Sequence, residues 1–315
     1  MSQQSIEDVV NNSLDAAWPC GDLYKSELRS ILLAFANSEQ SDNNFVDEIS
    51  NKQSRDAAFH ILISRAWEAT IWKILQAQDI VWSAVRKTGR CPDFSFILKD
   101  KPVYIEATAP KLSDIFMKMS KEYPLNPERS NLSLQAWTGA IVEKAAKYRN
   151  DLFQTNAPHP AYVIAVNSCL LQDCEVLGGN GFSNLPRAVE AVFPIGPMTA
   201  TVDRATGDLI AVGPRYQIAF TKRNKTGASI EIEKSMFMDG NDSHVSAIIG
   251  CSDLPCSKNP LSGFTSSSFF CVVHNPYARV PLGADFLPQA RHYRAEITED
   301  EIVIRWNDPT QILGS

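Results

Sequence analysis

Residues 93–108 can adopt little other than a β-hairpin, and the rest of the chain must be arranged around it. Gly89 and Pro92 stop whatever precedes it. Phe94, Phe96 and Leu98 then alternate with Ser95, Ile97 and Lys99, the run Lys99-Asp100-Lys101-Pro102 turns the chain, and Val103, Tyr104 and Ile105 are good strand formers. Asp93 therefore opens one strand and Glu106 closes its neighbour. In an antiparallel pair with a short turn those ends lie side by side, so both carboxylates point at one cation. Like charges within about 4–6 Å push each other towards protonation. A hard divalent cation with oxygen ligands, Mg²⁺ (or Mn²⁺), relieves that repulsion. The bland alternative is a turn aspartate and a solvent-facing glutamate.

Two long helices flank the hairpin. Residues 55–77 contain neither Gly nor Pro. Stepping about 100° per residue, Ala57, Ile61, Trp72 and Leu75 fall within roughly 40° of Glu68, so this acid sits in an apolar stripe. There it must be protonated, bound to a cation, or paired, for instance with Arg65 one turn away. Residues 132–154 form the second helix, in which Trp137, Ala140 and Tyr148 share the direction of Lys144. Lys144 either snorkels to water or reaches from the helix towards the carboxylate pair. Residues 79–85 read as a strand, followed by the basic cluster Arg86, Lys87 and Arg90, and residues 161–167 as a buried strand. The order helix, strand, strand, strand, helix, strand makes a sheet with a helix on either side.

The remainder divides into a helical segment at 1–50, whose two amphipathic helices carry Ile6, Val9 and Val10 and then Leu28, Ile31, Leu32 and Phe35, and a β-rich extension at 171–315 that continues the domain formed by the core at 51–170. In the extension, 203–208 joins two short strands, and Lys222, Arg223 and Lys225 make a basic hairpin tip suited either to phosphate contact or to simple solvation. Among 315 residues, 44% hydrophobic and 21% charged, no apolar run approaches the roughly 20 needed to span a bilayer, and residues 1–4 open no secretory signal, so a cytoplasmic location is expected. A net charge of −6 argues against a general polyanion binder but leaves room for a local basic groove. The seven cysteines read as reduced thiols, and the spacings of Cys169 to Cys174 and of Cys251 to Cys256 are wider than zinc ligands use. No Gly-x-Ser-x-Gly elbow occurs.

The middle of the chain resembles the PD-(D/E)xK superfamily of restriction-endonuclease-like nucleases. Pro92-Asp93 matches the first half of that motif, Glu106-Ala107-Thr108 stands where Glu-x-Lys belongs, and the elements of 55–167 follow an αβββαβ order. The resemblance implies a restriction-endonuclease-like α/β core in which Asp93 and Glu106 hold Mg²⁺, with Glu68 as the acid many members carry on the first core helix. It implies hydrolysis of a phosphodiester, most naturally of DNA, with Arg86, Lys87, Arg90, Lys111 and the basic tip fringing the groove. The departure is Thr108, which carries no positive charge. Some members supply the lysine from the following helix, which makes Lys144 the first candidate here and Lys111 the second. Failing both, the same fold would serve as a degenerate module that binds nucleic acid or protein. An enzyme acting on a small phosphorylated substrate is a more distant alternative. Homodimerisation, or a protein partner that supplies specificity, is compatible with either reading, and no membrane association is expected.

Overall fold

The computed structural model describes residues 5–17, 22–41, 44–50, 54–83, 91–110, 127–149, 159–171, 183, 185–223, 229–252, 270–283, 285–299 and 301–307. It is a mixed α/β protein built on one large mixed sheet flanked by helices. In chain order the helices are α1 (Ile6–Ala17), α2 (Asp22–Ala36), α3 (Phe45–Ser50), α4 (Arg55–Gln76), α5 (Pro127–Tyr148) and α6 (Arg187–Val192). The strands are β1 (Val81–Trp82), β2 (Phe94–Leu98), β3 (Lys101–Thr108), β4 (Ala161–Asn167), β5 (Ile195–Val202), β6 (Leu209–Tyr216), β7 (Ala219–Arg223), β8 (Ser229–Glu233), β9 (Val245–Cys251), β10 (Phe270–His274), β11 (Arg291–Ile297) and β12 (Ile302–Asn307).

Eight strands form the main sheet in the order β1-β2-β3-β4-β9-β10-β11-β12. The pairs β3–β4, β4–β9 and β10–β11 are parallel and the others antiparallel. Strands from the last third of the chain thus extend the sheet that the hairpin begins. Alternation sorts the side chains into two cores. On one face Phe94, Phe96, Val103, Ile105, Val163 and Ile249 pack beneath α1 to α4. On the other, Tyr162, Ile164, Val166, Ile248 and Val273 pack beneath α5 and α6. Gly250 allows α6 its close approach, since a Cβ there would lie 2.7 Å from that of Ala188. Strand β4 is buried along its whole length, as its uninterrupted apolar run requires.

The hairpin turn is tighter than its sequence suggests. Only Lys99 (φ 47°) and Asp100 (φ 64°) form it, whereas Lys101 and Pro102 already pair with Leu98 and Ile97. Positive φ at both central residues is the type I′ geometry that matches strand twist. The strand expected at 79–85 is, among described residues, only the two-residue edge strand β1. Helix α4 matches expectation and is capped by Ser54, whose side chain accepts from the Ala57 amide. Helix α5 begins at Pro127, ahead of the expected 132. The six-residue helices α3 and α6 were not foreseen, being too short to show periodicity. Among the described residues no helix is long and apolar enough to cross a membrane.

Candidate functional site

Strand register decides where the two acids go. Phe94 pairs with Ile105, so Asp93 stands beside Glu106 where β2 opens and β3 nears its end. Asp93 Oδ2 accepts a 2.7 Å hydrogen bond from the Ala107 amide, which locks the two strand ends together. Phe94 and Ile105 face α4, so alternation turns both acids towards α5, and Thr108 shares the face of Glu106.

Helix α5 answers with cations. Lys144 Nζ lies 2.9 Å and Lys147 Nζ 2.6 Å from Glu106 Oε1, and Tyr148 donates its hydroxyl to Oε2 over 3.1 Å. Glu106 is only 1% exposed. The helix end is itself pinned, because Tyr162 of β4 donates to the Lys144 carbonyl over 3.0 Å and His244 Nε2 lies 3.0 Å from the Ala145 carbonyl. Tyr162 meets Tyr148 edge-on at 5.3 Å and stacks on His244. Lys147 also lies over the Tyr148 ring at 4.9 Å.

The electrostatics follow from crowding. Asp93 is held well above the ordinary carboxyl range, first by burial, then by the charges of Glu106 and Glu68. It nonetheless keeps partial surface contact. Burial opposes the charge on Lys144, but the adjacent Glu106 outweighs it and raises the ammonium's pKa. Burial and Glu106 together keep the Tyr148 phenol protonated far beyond its usual range.

Of the residues anticipated from sequence, the fold brings Asp93, Glu106 and Lys144 together, with Thr108 on the same strand face. Glu68 comes close enough to act on Asp93, yet its carboxylate is held by Arg65 at 2.6 Å, and Arg65 also grips Glu48. That pairing answers how its apolar stripe tolerates an acid. Arg86, Lys87, Arg90, Lys111 and Lys225 lie outside the described residues. Lys222 and Arg223 belong to strand β7, not to the hairpin tip. Sequence reasoning missed Lys147. Its spacing of three from Lys144 on a helix was the available signal.

The donor set suits a hard cation. Asp93 and Glu106 are oxygen donors of the kind Mg²⁺ takes, and the ion needs only one or two carboxylates beside water and substrate oxygens, while Glu106 is also met by Lys144, Lys147 and Tyr148. Among the described residues, no three His, Cys, Asp or Glu side chains gather as a ready-made metal cage. Comparison with family models, with curated proteins and with solved structures yields no match.

Proposed function

We propose that the chain is a Mg²⁺-dependent nuclease with a restriction-endonuclease-like core that hydrolyses phosphodiester bonds of DNA. The observation that carries this reading is the ammonium of Lys144, 2.9 Å from Glu106 with Asp93 on the adjoining strand. It supplies from a helix the charge that Thr108 lacks. Asp93 and Glu106 would hold the ion. When bound, Mg²⁺ supplies Lewis-acid stabilisation of phosphate charge and lowers the pKa of water. In this reading Lys144, whose side chain is 23% exposed, leaves Glu106 for a phosphate oxygen and neutralises charge there. Lys147 and Tyr148 then retain Glu106 in its place, and the tyrosine, held protonated, donates throughout.

A second reading rests on the same carboxylate. Glu106 already takes three donors without any added cation, as in a catalytically degenerate module of this fold that binds nucleic acid or protein. Calorimetric Mg²⁺ titration and plasmid cleavage, on wild type and on Asp93→Ala, separate the two. The nuclease reading expects binding and cleavage in the wild type and loss of both in the variant. A folded wild type that neither binds Mg²⁺ nor cuts overturns it and leaves the binding module.

A further inference from the structure

The lysines that meet Glu106 stand at the C-terminal end of α5, where a helix holds its side chains least firmly. The last four carbonyls of a helix have no intrahelical partner, and helix ends fray unless something outside takes those groups. In α5 the first of the four belongs to Ala145, which follows Lys144 and precedes Lys147. Its partner is His244, which directly precedes β9 and lies 99 residues along the chain. His244 Nε2 is 3.0 Å from the Ala145 oxygen. A carbonyl only accepts, so Nε2 carries the proton and donates.

The imidazole is itself built into place. His244 is 5% exposed and lies nearly parallel to the ring of Tyr162, at 14° with centroids 6.4 Å apart. Tyr162 donates to the Lys144 carbonyl over 3.0 Å, so two stacked rings from the sheet side take successive carbonyls of the helix. Burial lowers the His244 pKa, against the pull of the Ala145 hydrogen bond and of Asp242, which keeps the ring a neutral donor. Asp242, whose Oδ1 is 3.9 Å from His244 Nδ1, is held at 2.7 Å by Arg149 just past the helix. The segment 242–244 thus grips the end of α5 at two points. It is anchored in turn, because Asn275 Nδ2 donates to the carbonyls of Asp242 and Val245 and the Arg279 amide donates to that of Ser243 over 2.7 Å.

We propose that His244 is a positioning residue for this site, fixing the last turn of α5 through the Ala145 carbonyl and so setting the ammonium of Lys144 against Glu106. It acts through the helix and takes no part in the chemistry. A misplacement of about 1 Å at a reacting group costs on the order of 100-fold in rate, and a fraying turn does not hold a side chain to that tolerance. The catalytic use of Lys144 rests on the nuclease reading; its placement by His244 does not.

The test reads that placement directly, by acylation of the full chain with acetic anhydride followed by mass spectrometry. Glu106 holds Lys144 as the ammonium, which does not acylate. His244→Phe keeps a ring against Tyr162 but donates nothing, and is expected to raise acylation of Lys144 about threefold or more as its pKa relaxes towards the ordinary lysine value. His244→Gln, whose amide N–H replaces that of Nε2, restores the wild-type level. The exposed Lys73 of α4 calibrates the reagent, and the fully buried Lys234 reports any general opening. In plasmid cleavage His244→Phe lowers kcat about tenfold with KM and Mg²⁺ affinity unchanged, and His244→Gln recovers it. Unchanged labelling of Lys144 in His244→Phe, a rise shared by Lys234, or failure of His244→Gln to restore the pattern overturns the proposal. A wild type that cuts nothing retires the nuclease reading alone, since the labelling contrast still decides whether His244 places the lysine.

Discussion

Glu106 and Glu190 are both buried carboxylates, at 1% and 2% exposure, yet the groups around them differ in kind. Glu190 accepts from the Ser183 amide at 3.0 Å and its hydroxyl at 2.6 Å, and from Arg187 Nη1 at 2.6 Å one helical turn away. Its partners are short or planar, and Arg187 is itself buried. Glu106 is met by two lysines on long flexible stems whose side chains are 23% and 33% exposed, with a second acid alongside. A carboxylate closed in by rigid donors holds the fold together. One balanced by cations that can swing to water, and burdened by a neighbouring acid, is prepared to exchange partners.

The contrast breaks most sharply by truncation. Glu190→Ala removes the buried carboxylate that Arg187 and Ser183 both hold and is expected to cost about 3–5 kcal/mol in urea unfolding, while Glu106→Ala, whose lysines regain water and whose main loss is the acceptor of the Tyr148 hydroxyl, costs about 1–2 kcal/mol. Equal losses would erase the distinction. Next, Lys144→Ala should lower plasmid cleavage about 100-fold with little change in the unfolding midpoint, since Lys147 and Tyr148 still hold Glu106. If Lys147→Ala has the larger effect on cleavage, the roles of the two lysines are reversed.

The smallest effect sharpens the comparison through pH. Asp93 has a folded pKa raised above the unfolded value of 3.8, so the folded state binds more protons than the unfolded state between those two values. Stability therefore falls as pH rises from the unfolded pKa through the folded one, and the penalty persists above it. Asp93→Asn keeps an acceptor for the Ala107 amide but removes the charge. It should raise the melting temperature at neutral pH and flatten the decline across that window. An unchanged pH profile would place the origin of the decline elsewhere.

Much of the candidate site was legible because its signals are local. Alternation about Phe94 and Phe96 sets Asp93 and Glu106 on their strands, and a helical period sets Lys144 in the direction of Tyr148. The same method offered Glu68 either as a ligand candidate or as the partner of Arg65 one turn away, and the fold shows the pairing with Arg65. Ser183, Arg187 and Glu190 were not read from the sequence, because their one local signal is an Arg–Glu pair three residues apart in a helix too short for its period to register. Nothing in the pattern of β5 and β6 separates a strand within a main sheet from the two-stranded ribbon standing in water that they form, since Met198, Ala200 and Val202 alternate with threonines as in a half-buried strand and β6 opens with an apolar run, Leu209 to Val212, as in a buried one.

From its own order of residues the chain determines a hairpin ending in two acids, two long amphipathic helices, and a strand, β4, apolar enough to be buried on both faces. Tertiary structure alone decides that β4 pairs parallel to β3, that α5 therefore crosses the face bearing the acids, and that Lys144 meets Glu106 across 38 residues of chain. Periodicity constrains a side chain relative to its near neighbours. Which distant strands pair depends on the summed burial of whole faces, and no single stretch of sequence carries that sum.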